Sequence, residues 1–147
     1  MEKKIIVLNG PNLNLLGKRE PETYGRETLA EIIERATILG KKLGLNIEAF
    51  QYNSEGDIIG KIHLAGESAD GLIINPGAYT HYSIGIRDAL AAVDLPAIEV
   101  HISNIYGREP FRRKSVISQV VVGQISGFGS YSYELAIRAM AHLLFQD

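Results

Sequence analysis

The stretch that decides the fold is IIVL at residues 5–8, with the polar sequence NGPNLN directly after it at residues 9–14. A short, uninterrupted run of aliphatic, mostly β-branched residues is typical of a strand that is buried on both faces of a parallel sheet. Similar runs predict four further strands, at residues 46–51, 71–74, 97–100 and 118–122.

Helical patterns lie between the first four of these strands. Apolar residues recur every three or four positions from residue 29 to residue 43, and Gly44 follows where a left-handed terminal residue is expected. Residues 54–57 read as a capping box that opens a second helix. A third helix is predicted at about 82–93 and a last one at about 130–145. In the last helix, the residues predicted to face inward are Leu135, Met140, Leu143 and Leu144.

The alternation of strands and helices predicts an α/β protein whose parallel sheet is covered by helices on both faces. Five strands favour a flavodoxin-like three-layer sandwich with the strand order 2-1-3-4-5. Because the sequence contains no internal repeat, low-complexity tract or linker, we predict a single domain over residues 1–147. Ligands of such sheets bind beyond the carboxyl ends of the strands, so functional residues are expected after strands one, three and four.

Composition limits the classes of function. The 147 residues include no Cys, which removes disulfides, thiolate nucleophiles and Cys-bound zinc. The formal charge of −2 implies no general attraction for nucleic acid or for an anionic membrane, so the predicted partner is a small molecule. The apolar run after Met1 is too short for a signal peptide, and no stretch is long enough to span a membrane. We therefore expect a cytoplasmic protein.

The loop after the first strand is the first candidate site. Gly17 and Gly25 bracket a charged segment that carries Arg19 and Tyr24. Backbone freedom at both glycines predicts a lid at about residues 17–25 that brings these two side chains over a pocket. The alternative is a long surface loop in which Asn and Gly only form turns.

The segment after the third strand offers Asn75 and His81 at the same edge of the sheet. Asn75 supplies both a donor and an acceptor, and His81 is expected to face the crevice. For Pro76, Gly77 and Thr80 a structural interpretation is favoured: a turn at the first two, with Thr80 or His81 capping the next helix.

Glu99 and His101 end the fourth strand, and the two-residue period places them on one face. A buried carboxylate is costly unless it is paired, so Glu99 is predicted to orient the imidazole of His101. A purely structural ion pair is the alternative. His63 and His142 fall on helices away from the crevice.

Residues 108–114 hold three arginines, at least one of which is expected to point inward and bind a carboxylate or hydroxyls.

Missing motifs exclude several kinds of chemistry. The sequence has no GxGxxG, P-loop, HExxH or GxSxG pattern, and its four His are scattered, so neither a metal nor a cofactor is expected. Tyr, His, Arg and Asn remain, a set suited to proton transfer around a carbonyl. A flavin carrier or a phosphoaccepting module is the alternative from another class. Both are disfavoured because strands one and three end in Asn9 and Asn75, with no phosphate loop.

Three segments resemble the type II 3-dehydroquinate dehydratases of the shikimate pathway. They are NGPNLNLLGKREPETYG at 9–25, INPGAYTHYS at 74–83 and EVHISN at 99–104, in the order of that family. The resemblance implies a lyase that converts 3-dehydroquinate to 3-dehydroshikimate through an enolate without any cofactor, in trimers gathered into a dodecamer. A lyase with another substrate is the closest alternative. Tyr106-Gly107 stands where a His-Ala pair is common, and Pro110 where Glu is frequent.

The same resemblance implies a role for each site residue. Tyr24 is the general base, with Arg19 favouring its tyrosinate form. His101 is the general acid, with Glu99 setting its orientation and charge. Asn12 helps to stabilise the enolate. The residues implied to bind substrate are Asn75, His81, Ile102 (through its backbone), Ser103, Arg112 and Asp88, the last reaching a neighbouring subunit's site.

Overall fold

The computed structural model describes residues 1–18 and 20–146, without the side chain of Tyr24. Within these residues, a parallel sheet has the order β2-β1-β3-β4-β5, as predicted. The strands are β1 (Lys3–Asn9), β2 (Leu45–Gln51), β3 (Gly71–Asn75), β4 (Ala97–His101) and β5 (Gly123–Ser126). The helices are α1 (Pro21–Tyr24), α2 (Leu29–Lys42), α3 (Glu55–Ser68), α4 (Ile84–Ala92) and α5 (Tyr131–Phe145).

The helices cover both faces of the sheet and create two apolar layers. On β1, Ile5 and Val7 pack with α2 and α5, whereas Ile6 and Leu8 pack with α3 and α4. All four side chains are buried, because successive residues of a strand point to opposite faces. This two-sided burial explains why the strand appears in the sequence as an unbroken apolar run.

The helix ends follow local hydrogen bonding. Thr28 and Glu31 form a complete capping box at the start of α2, and Gly44 follows that helix with φ 84°. Ser54 accepts a hydrogen bond from the backbone N–H of Asp57, which is one half of the box predicted there. Ser83 caps α4, so the expectation that Thr80 or His81 would do so is wrong.

The prediction of a fifth strand at residues 118–122 is also wrong. Ser118–Val120 form a 3-10 turn, and β5 begins at Gly123. The apolar side chains before β5 serve the core, since Ile117 is fully buried and Val120 packs against the layer of α3 and α4. A β-branched run that covers a core has the composition of a strand, so the pattern alone does not separate the two.

The buried face of α5 differs in part from the prediction. Met140 is buried as expected, but Leu143 and Leu144 only border the core and Leu135 is half-buried. Tyr133 and its neighbours one turn later face the sheet instead. The buried side chains of α5 are Ser132, Tyr133, Ala136, Ile137 and Met140.

Candidate active site

A polar pocket opens at the edge of the sheet where β1, β3 and β4 end, which is the edge predicted from the topology. Its walls come from the three segments that follow these strands. The residues that line it are Pro11, Asn12, Leu13, Asn75, Gly77, Ala78, His81, His101, Ile102, Ser103, Ile105, Arg108 and Arg112.

The floor of the pocket is organised by a buried tyrosine. Asn9 and Asn75 are register neighbours at the ends of β1 and β3. The Tyr133 hydroxyl on α5 donates to Asn9 Oδ1 at 2.7 Å and accepts from Asn75 Nδ2 at 2.9 Å. The Asn75 carboxamide also accepts from the backbone N–H of Gly77 through Oδ1. Its orientation is therefore fixed, and one Nδ2 hydrogen remains for a ligand.

The loops after β1 and β3 meet at Gly10. Its backbone N–H donates to the carbonyl of Asn75, and a Cβ at this position would lie 2.5 Å from the carbonyl oxygen of Pro76. Two residues later, Asn12 has φ 68°, a left-handed conformation that Asn tolerates better than most residues. Its backbone N–H donates to Asn53 Oδ1, which anchors this turn beside the pocket.

Glu99 and His101 form the predicted pair on one face of β4. The distance from His101 Nε2 to Glu99 Oε2 is 2.5 Å, and Glu99 is fully buried. Burial raises the pKa of the Glu99 carboxyl, but hydrogen bonds and the charge of His101, together with Thr80 and Gln124, bring the pKa below its ordinary value. An ionised Glu99 only accepts, so Nε2 carries a proton and Nδ1 is the ring nitrogen available to the pocket.

His81 lines the same pocket as His101 and is the last residue of the 3-10 segment Gly77–His81. Its Nδ1 is 2.7 Å from the backbone carbonyl of Lys114, and a carbonyl only accepts, so Nδ1 is protonated. Burial, with the charges of His101, Arg112 and Arg108, holds the pKa of His81 below its ordinary value. His81 is therefore neutral and presents Nε2 as an acceptor for a hydroxyl.

Two arginines of the basic segment line the pocket, in agreement with the expectation that at least one would point inward. Arg112 donates from Nε to Glu109 at 3.1 Å, which restrains its guanidinium. Arg108 also lines the pocket, and its backbone carbonyl accepts from Arg113 Nε. The half-buried Ser103 and the backbone of Ile102 follow β4 directly. This wall therefore offers cationic and hydroxyl donors suited to an oxygen-rich anion.

The structure unites most of the predicted site residues. The predicted residues that line the pocket are Asn12, Asn75, His81, His101, Ile102, Ser103 and Arg112. Glu99 lies behind His101. Asp88 is exposed on α4 and does not line this pocket. Arg19 and the side chain of Tyr24 lie outside the described residues, so their predicted roles stay predictions.

Sequence reasoning missed several residues that hold the site in place. Thr80 and Ser115 donate to Glu99, and Tyr133 joins the two strand-end asparagines. The spacing of Tyr133, Ile137 and Met140 on one face of α5 was a signal for the tyrosine. No comparable signal existed for Ser115, because it lies outside the helices and strands and so belongs to no periodic pattern.

Among residues 1–18 and 20–146, no group of three His, Cys, Asp or Glu side chains is arranged to hold a metal ion. In the same part of the chain, no helix is long and apolar enough to cross a membrane.

Comparisons with known proteins agree with the geometry. A family model described as dehydroquinase class II matches residues 3–141. A 3-dehydroquinate dehydratase of Caldicellulosiruptor saccharolyticus is 56% identical over 143 residues, which cover 97% of this chain and 99% of that protein. A protein of the same name from Clostridium perfringens is 56% identical over 138 residues, covering 93% of this chain and 96% of the relative.

A solved structure is also similar. The type II dehydroquinase from Propionibacterium acnes superimposes with a TM-score of 0.92 at 48% identity, and the match covers 96% of this chain and 97% of that one. The segment matched by the family model includes every residue that lines the pocket.

Proposed function

The chain belongs to the class II dehydroquinase family, and from this we propose how its pocket carries out the family's reaction. That reaction is a hydro-lyase step of the shikimate pathway, the dehydration of 3-dehydroquinate to 3-dehydroshikimate. The observation that carries our proposal is the imidazole of His101, which is paired with a buried carboxylate and faces a pocket rich in hydrogen-bond donors.

The dehydration begins at the carbon next to the ketone. Tyr24, as tyrosinate, takes a proton from this carbon, and the electron pair moves into an enolate. Asn12 stabilises the negative charge that develops on the enolate oxygen. When the enolate collapses, the hydroxyl leaves with a proton from His101, so the products are water and a conjugated enone. The roles of Tyr24 and Asn12 rest on the resemblance of the loop at residues 9–25.

The substrate carboxylate binds among Asn75, Ser103 and the backbone of Ile102. The fixed Nδ2 group of Asn75 and the hydroxyl of Ser103 supply donors at one end of the pocket. His81 and Arg112 hold ring hydroxyls. The neutral imidazole of His81 supports this role, since its free Nε2 accepts a hydrogen bond without a competing positive charge.

Residues 17–25 act as a lid within a single domain. Gly17 and Gly25 both have positive φ, at 91° and 83°, which supports the interpretation that these positions supply the conformations a moving segment needs. Closure brings Arg19 and Tyr24 to the pocket, where the guanidinium favours the tyrosinate.

Tyr24→Phe tests this mechanism, with conversion followed by the rise in ultraviolet absorbance as the enone forms. The variant removes one oxygen, so it is expected to fold and bind substrate but to lose about 10²-fold or more in kcat. A second variant, Arg19→Lys, keeps the charge but loses the planar fork and is expected to be slow as well. Turnover of Tyr24→Phe near the parent rate would show that another group is the base.

The active form is an assembly of trimers gathered into a dodecamer. The family resemblance supports this proposal, as do the exposed apolar side chains of Tyr82 and Ile84 near the start of α4. Asp88 lies one turn after Ile84 on the same helix face, where it reaches a neighbouring subunit's pocket. Light scattering is expected to give a mass far above 16.1 kDa, and a fully active monomer would contradict the proposal.

We place the enzyme in the cytoplasm, which its cysteine-free sequence supports.

A further inference from the structure

The carboxylate of Glu99 is held by more than its histidine. Thr80 Oγ1 donates to Glu99 Oε2 at 2.5 Å. Ser115 Oγ lies 2.9 Å from Oε1 and 3.0 Å from Oε2. Thr80 and Glu99 are both fully buried. Two hydroxyls from separate segments therefore converge on one buried carboxylate, and neither of them lines the pocket.

The hydroxyl of Ser115 has its direction set by its own turn. Its oxygen accepts hydrogen bonds from the backbone N–H groups of Ile117 and Ser118, at 3.3 and 3.1 Å. A serine hydroxyl has two lone pairs and one hydrogen, so these two bonds leave the hydrogen for Glu99. These two backbone bonds leave Ser115 as a hydrogen-bond donor to Glu99. A donor at this position favours the ionised form of the Glu99 carboxyl over the protonated form.

The segment that carries Ser115 also orients the second histidine of the pocket. The backbone carbonyl of Lys114 accepts from His81, and the N–H of Val116 donates to the carbonyl of Thr80 at 2.7 Å. Residues 114–116 are therefore joined to the 3-10 segment at residues 77–81 and to the end of β4. Displacement of this segment would disturb both imidazoles together.

We propose that Ser115 and Thr80 are positioning residues for the dehydration: their hydroxyls hold Glu99 as an oriented anion, and Glu99 in turn keeps His101 oriented and protonated for its role as acid. This inference rests on the proposed function, in which His101 protonates the leaving hydroxyl. Neither hydroxyl touches substrate, so their effect on the reaction passes through the Glu99–His101 pair.

The charges around His101 make this support necessary. His81 faces it from the segment after β3, and Arg108 and Arg112 face it from the segment after β4. On β5 the register partner of His101 is Ser126 and that of Glu99 is Gln124, and both side chains are uncharged; the Oε1 of Gln124 accepts from the Tyr106 hydroxyl at 2.9 Å. Arg19 and Tyr24, also proposed for this pocket, are outside the described side chains. Glu109 pairs with both arginines, and Glu99 is the carboxylate that contacts the imidazole of His101 directly.

The kinetic test compares Ser115→Ala and Thr80→Val with the parent enzyme. Without one of its two hydroxyl donors, the Glu99 carboxylate is no longer held against His101 Nε2 and the charged imidazole loses part of this contact, so the alkaline fall in kcat is expected to move down by about one pH unit. A shift of this size corresponds to the loss of one charge-assisted hydrogen bond. KM is expected to change less than about twofold, because substrate contacts are kept. Thr80→Ser retains the hydroxyl and is expected to restore the parent profile.

Ser118→Ala is the matched control. It removes a hydroxyl from the same turn, where Ser118 Oγ donates to the carbonyl of Ser115, but it keeps the N–H groups that direct Ser115. Its pH profile is expected to match the parent's. If Ser115→Ala fails to fold, the pair Thr80→Val and Thr80→Ser still decides the question. Unchanged profiles for Thr80→Val would overturn the inference.

A second readout does not depend on turnover. Ring ¹⁵N shifts of the four histidines, followed by NMR over a pH series, report the protonation of His101 directly. His63 and His142 are exposed on α3 and α5 and serve as internal references. The titration midpoint of His101 is expected to fall in Ser115→Ala and Thr80→Val. No turnover by the parent would refute the proposed function, whereas an unmoved His101 midpoint would refute the role of the hydroxyls.

Discussion

Replacement of Tyr133 by Phe removes one oxygen atom from the floor of the pocket. That oxygen donates to Asn9 and accepts from Asn75, and the ring itself is fully buried in the layer formed with α2 and α5. Tyr133→Phe keeps the ring and its packing. The variant therefore isolates the two hydrogen bonds from the apolar contribution of the side chain.

The cost follows from what the two asparagines lose. Asn9 has no exposed surface, so its Oδ1 would be left buried without a donor, which costs about 1–3 kcal/mol. Asn75 lines the pocket, where water can reach its Nδ2, so its loss is smaller. We expect the free energy of unfolding to fall by about 2–3 kcal/mol in total.

Urea unfolding at matched protein concentration measures this loss, and Tyr131→Phe is the control. Tyr131 lies two residues earlier on α5 and is 47% exposed, so its variant is expected to stay within about 0.5 kcal/mol of the parent. In the absorbance assay, Tyr133→Phe is expected to raise KM several-fold with little change in kcat, because Asn75 is proposed to bind the substrate carboxylate. A stability loss under about 0.5 kcal/mol with an unchanged KM would refute the reasoning.

The pKa of Glu99 lies below its ordinary value of 4.5, so its ionised form stabilises the fold above that pH and the contribution is lost as the pH falls further. The stability advantage of the parent over Glu99→Gln should therefore shrink below about pH 4.5 in acid-unfolding curves, and a constant difference would contradict this. Gly10→Ala places a Cβ 2.5 Å from the carbonyl of the loop after β3 and should cost about 1–3 kcal/mol in urea unfolding, whereas Gly60→Ala on α3 meets nothing and should not destabilise. In steady-state kinetics, His101→Ala should mainly lower kcat and His81→Ala should mainly raise KM, and the reverse pattern would reassign the acid.

The positions of four strands were predictable from their β-branched and apolar content, which is unbroken in β1 and β3, where both faces are buried, and their order followed from the alternation with helices. The runs at residues 5–8, 46–51, 71–74 and 97–100 all lie within strands. The run at 118–122 did not become a strand, because its apolar side chains cover the core from a turn. An apolar composition indicates that a segment is buried. It does not indicate whether the segment is a strand in the sheet or a turn packed against a layer of helices.

The residues that line the pocket were predictable because they follow the strands directly. The strand ends and the sheet topology were enough to predict that Asn75 and His101 lie at the same edge of the sheet. The supporting hydroxyls of Thr80 and Ser115 were not predictable, since a hydroxyl of a turn bonds in many directions and only the packed chain selects one. Thr80 was interpreted as a turn or cap residue, whereas its hydroxyl reaches Glu99.

The hydrogen bond between Tyr133 and Asn9 joins residues that are 124 positions apart in the chain. During synthesis, Asn9 leaves the ribosome long before Tyr133. The side chains of Asn9 and Asn75 therefore lack their shared hydrogen-bond partner until α5 has formed and docked. A chain that stops before α5 would contain every residue of the pocket wall and still lack the group that aligns its floor. Full affinity for substrate would thus be reached only when the last helix docks, which ties the last step of chain synthesis to the final alignment of the pocket.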